Sequence, residues 1–126
     1  METSNNNSSI YIIAQWGPEA AERCYAPFVT GTTAQAQEVE AKIFLMMDAV
    51  WLVKKGIAEK VTAPGFPPLP DLIDTFLEEG GKIEVCSNSA QFRGLTSDQF
   101  RDDRITIAGA ATMVDDTLNY DRTMYF

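Results

Sequence analysis

The chain has 126 residues, 45% hydrophobic and 22% charged, with a net charge of −8, which suits one packed core in an ordinary globular domain. The acidic balance argues against nucleic acid as a partner, because phosphate contacts need clustered Lys and Arg. Histidine is absent, which removes Ser-His and Cys-His nucleophile pairs and every His-bearing metal site.

In chain order, METSNNNSSI lacks the basic and apolar regions of a signal peptide, so residues 1–8 are expected to be a disordered tail and 9–126 one domain. No apolar run approaches the roughly 18 residues of a membrane span, so the expectation is a cytoplasmic protein without a membrane partner. Ser9–Ala14 is a β-rich run ended by Gln15-Trp16-Gly17-Pro18. Pro18 and the following Glu19 and Glu22 predict a helix reaching about Glu38, with a break near Pro27. Ala41–Met47 predicts a second buried strand closed by Asp48, and Ala49–Lys55 a helical turn or two stopped by Gly56.

Residues 61–70 hold four prolines and a glycine and exclude regular structure. Leu69, Leu72, Ile73, Phe76 and Leu77 then form one apolar helical stripe, with Gly80 as its left-handed cap. Lys82–Cys86 predicts a third strand. Asn88 with Gln91, and Thr96 with Gln99, have capping-box spacing. Arg104–Ala108, Gly109–Asn119 and Arg122–Phe126 read as strand, helix and strand. Alternating strands and helices joined by short links mean an α/β domain with a mostly parallel sheet, packed in three layers.

Ligands of open parallel sheets bind beyond the carboxyl ends of the strands. That rule selects Gln15 and Trp16, then Met47 and Asp48, then Cys86, Ser87 and Asn88, then Gly109 and Ala110. Cys86 is the one strong nucleophile among them. At a strand end facing a helix start, unsatisfied N–H groups and the positive dipole end favour a thiolate. The competing reading is a small buried hydrophobe, the commoner fate of a lone cysteine. Cys24, mid-helix beside Tyr25, reads as packing. The two cysteines have no CxxC spacing and support neither a zinc knuckle nor a disulfide framework.

Other motifs carry less. Thr30-Gly31-Thr32-Thr33 has the composition of a flavodoxin-type phosphate loop, but it falls some 15 residues after the first strand instead of directly behind it. The Pro67-x-x-Pro70 spacing reads as a rigid connection able to overhang the site. Asp48, Trp51 and Lys54 could line a pocket. The pairs Asp102-Asp103 and Asp115-Asp116 read as solvent-facing charge, since neighbours on a helix diverge by about 100°.

The segment LPDLIDTFLEEGGKIEVCSNSAQFRGL joins a glycine-terminated helix to a strand ending in cysteine. Together with KIFLMMDAVWLVKKG before it and ITIAGAATMVDDTLNYDRTMYF after it, in that order, it resembles the DsrE/DsrF-like family of sulfur-relay proteins. The resemblance covers most of 9–126. It implies a five-stranded sheet between helical layers and a homo-oligomer such as a trimer or hexamer. It also implies a sulfur carrier or sulfurtransferase that holds sulfane sulfur as a persulfide or thiosulfonate on Cys86 and exchanges it with donor and acceptor proteins. That chemistry needs no metal or organic cofactor. The alternatives are a non-catalytic oligomeric module in which Cys86 is structural, and a nucleotide or flavin binder.

Overall fold

The computed structural model describes residues 8–126. The tail expected over 1–8 therefore lies outside the described residues except for Ser8, whose carbonyl accepts from the Glu40 N–H (3.1 Å). Five parallel strands, β1 (Ser9–Ala14), β2 (Glu40–Leu45), β3 (Lys82–Cys86), β4 (Thr106–Ala108) and β5 (Arg122–Tyr125), lie in the order β4-β3-β2-β1-β5. The helices are α1 (Ala26–Ala36), α2 (Leu69–Glu78), α3 (Ser87–Phe92) and α4 (Ala110–Asn119), joined by short 3-10 turns.

The side-chain period of two along each strand divides the interior. One face carries Ile12, Ala14, Ile43, Leu45, Ile83 and Val85, and the main core is built there with Phe28 of α1 and Ile73, Phe76 and Leu77 of α2. The opposite face presents Tyr11, Ile13 and Phe44, joined by Met113 and Tyr120 of the α4 segment. The three-layer α/β/α architecture is therefore present but lopsided: α1, α2 and α3 bury residues and α4 buries none. Among the described residues no helix is long and apolar enough to cross a membrane.

The long first helix is shorter than its sequence suggests. Pro18–Glu22 forms turns, and Pro27 sits in the first turn of α1, where its missing N–H costs nothing, so it starts the helix instead of breaking it. The TGTT segment lies inside α1. A Cβ on Gly31 would crowd Phe76 and Ile43, so this glycine serves close helix packing, not a phosphate loop. The proline-rich segment packs on the core side: Phe66 stacks on Tyr25 with ring centroids 4.7 Å apart, and the Tyr25 hydroxyl donates to the Val61 carbonyl (3.3 Å). Gly80 (φ 97°) and Gly94 (φ 68°) end α2 and α3 in the left-handed region.

Candidate functional site

The strand-end rule leaves four loops equivalent; the topology distinguishes them. The chain leaves β3 toward the main core, where Ala90 of α3 and Leu95 are buried. It leaves β4 toward the opposite face, through α4. Where neighbouring parallel strands send their connections to opposite faces, the carboxyl ends are the expected place for a ligand, and β3 and β4 are such a pair. Cys86 pairs with Ala108 across that point, and Ser87 lies against Gly109, its hydroxyl 3.6 Å from where a Cβ would stand. Cys86 is the N-cap residue of α3 and Gly109 that of α4.

Cys86 is half-buried, and its sulfur makes no hydrogen bond among the described residues. It shares the α4-side face with Met46, Ala108 and Met113. Cys24 is its opposite. It is fully buried, its thiol donates to the Ala21 carbonyl (3.2 Å), and burial, with the Glu19 carboxylate adding, pushes it up to about 11. Asn88 is exposed and does not cap α3, so the capping box expected with Gln91 is absent. The one expected over Thr96–Gln99 forms, with the Gln99 amide oxygen accepting from the Thr96 N–H (3.1 Å).

Gln15, Trp16 and Asp48 meet elsewhere on the same edge. With Glu19 and Met47 they line an open cavity of about 170 Å³, and Cys86 is not among its walls. Gly17 makes this possible: a Cβ there would overlap the Asp48 carbonyl, so the loops after β1 and β2 touch only because the side chain is missing. Trp16, 39% exposed, carries the Arg23 guanidinium over its ring at 4.8 Å.

Two links, neither foreseen from sequence, tie this cavity to α3, the helix that Cys86 caps. Met47 holds a left-handed φ of 55° and donates its N–H to the Ser89 hydroxyl (2.8 Å). Arg93, at the end of α3, donates from Nε and Nη2 to Asp48 Oδ1 (3.1 and 3.0 Å) and from Nη1 to the Ser89 carbonyl (3.2 Å). A strained non-glycine residue beside a site is a recurrent device for aiming a loop. Local sequence offers no sign of it, because Met has no preference for that conformation.

A buried polar cluster lies on the same sheet face as Cys86. Lys42, 9% exposed, pairs with Glu84 (3.2 Å) and with Asp116 of α4 (2.8 Å). Burial disfavours its charge, but the hydrogen bonds it donates to Asp116 and Glu84 outweigh that and hold the ammonium above the ordinary lysine range. Asp116 thus turns inward, against the solvent-facing expectation. Beside it the Tyr11 hydroxyl and Glu84 Oε1 are buried with no hydrogen-bond partner among the described residues. Burial, then the fields of Asp116 and Glu84, push the Tyr11 phenol well above its usual range.

The fold is that of known proteins. The YchN protein of E. coli superposes with a TM-score of 0.79 at 20% identity, covering 94% of this chain and 99% of that one. MTH1491 from Methanobacterium thermoautotrophicum gives 0.70 at 11%, covering 93% and 97%. By sequence, protein MJ0760 of Methanocaldococcus jannaschii is 40% identical over 88% of this chain, which spans only 38% of that protein's length. Protein MK0008 of Methanopyrus kandleri is 29% identical over 79% of each chain. Residues 8–126 match the model of the DsrE/DsrF-like family, and with the five-stranded parallel sheet in place, the chain belongs to that family.

Proposed function

We propose that this chain carries sulfane sulfur on Cys86. One observation carries the reading: the single half-buried thiol sits at the carboxyl end of β3 beside the end of β4, whereas the other is sealed in the core. Cys86 thiolate attacks the outer sulfur of a donor persulfide R–S–SH; the donor S–S bond breaks, R–S⁻ leaves, and Cys86–S–SH forms. An acceptor thiolate R′–S⁻ then takes the same outer sulfur and regenerates Cys86 thiolate, with no net oxidation. The first turn of α4 begins beside the thiol at Gly109, which has no side chain to cap it, so the positive end of that helix is available to an anionic persulfide. A thiol cycling in this way needs a reducing compartment, which favours the cytoplasm.

Intact mass after incubation with polysulfide tests the reading. A gain of one sulfur (about 32 Da) is expected in the unmodified chain and in Cys24→Ser, and it should vanish in Cys86→Ser. A chain that takes up no sulfur, or a Cys86→Ser variant that still does, leaves Cys86 a packing residue in a non-catalytic module.

A further inference from the structure

Helix α4 is attached differently from the other helices. None of its residues is buried, and Val114 and Leu118 face solvent at 52% and 77% exposure. Its inner contacts are Met113, which packs with Tyr120 on Tyr11, Ile13 and Phe44, and Asp116, whose carboxylate meets Lys42 at 2.8 Å. The ion pair is therefore the main polar tie between this helix and the sheet. Beneath it the Tyr11 hydroxyl and Glu84 Oε1 are buried with no hydrogen-bond partner among the described residues, a cost that is relieved when water reaches them. Lifting α4 would relieve that cost at the expense of the Lys42–Asp116 pair, so the two oppose each other across one small interface.

Cys86 lies on this same face and, like Met113 of α4, packs against the cluster of Tyr11, Ile13 and Phe44; it pairs with Ala108 at the root of α4, where Gly109 supplies an extended, side-chain-free joint (φ −98°, ψ −177°). We propose that α4 is the selectivity element of the Cys86 site, latched by Asp116 on Lys42. Closed, it admits small sulfur species to the thiol; released, it admits bulky or protein-borne partners. Asp116 and Lys42 act here as positioning residues. The proposal rests on Cys86 being the reactive thiol.

The test compares native-state labelling of Cys86 by iodoacetamide and by a maleimide bearing a long polyethylene glycol chain, in the unmodified protein and in Asp116→Asn. Cys24, buried in the core on the opposite face, reports global unfolding in the same samples. The latch predicts that Asp116→Asn speeds bulky labelling of Cys86 about tenfold, the scale of losing a charge-assisted tie, with iodoacetamide rates and Cys24 labelling unchanged. Amide exchange should quicken across α4 and not across β1 or β2. Met113→Ala, which loosens the same helix from its apolar side, should act likewise and serves if Asp116→Asn does not fold. Bulky labelling that stays constant, or that rises in parallel with Cys24, overturns the proposal. If iodoacetamide spares Cys86 in every variant, the sulfur-carrier reading fails instead, and α4 exchange decides the latch.

Discussion

At the residue scale the buried polar groups behave unequally, and Tyr11 separates them. Its ring tilts against Phe44 and Tyr120, with centroids 6.4 and 5.5 Å away, while its hydroxyl has no hydrogen-bond partner among the described residues. The aromatic packing stabilises the fold; the hydroxyl costs desolvation without a returning hydrogen bond. Tyr11→Phe keeps the first and deletes the second, so stability should stay level or rise by about 1 kcal/mol in urea unfolding. A loss of that size would mean that the hydroxyl is bonded in solution. Lys42 is the contrary case: its charge is buried but met by two carboxylates, and removing it would strand both. The same two-sided arithmetic explains the cysteines. Cys24 is satisfied and sealed, whereas Cys86 has neither a hydrogen bond among the described residues nor full burial to make it inert.

At the element scale, β1, β2 and β3 were legible in sequence because each is an apolar run bounded by turn residues, and β1 and β3 have the bounds their patterns predict, whereas β4 starts at Thr106, two residues later than the strand read over 104–108. Helix α2 was equally legible from its apolar stripe. Helix α1 was not: residues 18–22 have helical composition but form turns, and only Pro27 marks the true start. Cys86, Ser87 and Gly109 do meet, since strand ends are brought together by topology. The Arg93–Asp48 and Met47–Ser89 ties could not be foreseen, because nothing local pairs positions over forty residues apart. The turn leading into β4 holds a local tie whose strength can be measured. Asp102 accepts from the Arg104 N–H (2.9 Å) and from its guanidinium (2.9 and 2.7 Å), and those bonds hold its carboxyl down at about 2, against an ordinary 3.8. A carboxyl lowered in the folded state adds stability that is complete above the unfolded value and lost as pH falls through the folded one. Between pH 4 and pH 2 the protein should therefore lose up to about 1 kcal/mol that Asp102→Asn does not lose. Parallel urea midpoints for the two proteins over that range would refute this.

At the scale of the whole molecule, the lopsided sandwich poses a problem of unused surface. The α1–α2 side is a closed core, but on the other side α4 presents Val114 and Leu118, one turn apart, with Tyr125 of β5 also 63% exposed. We propose that a second copy of the chain covers this side in a homo-oligomer; the family resemblance supports that, and so does the apolar character of these positions in a chain of charge −8. Leu118→Glu tests it without disturbing the fold, because the side chain touches little within the monomer. Light scattering should give a multiple of the monomer mass for the unmodified chain and a smaller species for Leu118→Glu, with unchanged circular dichroism. A monomer in both cases removes the proposal. Assembly of this kind would also act on Cys86. A neighbour resting on the outer face of α4 would hold that helix down, adding to the Lys42–Asp116 tie. Bulky labelling of Cys86 should then slow as protein concentration rises, and in Leu118→Glu it should become independent of concentration.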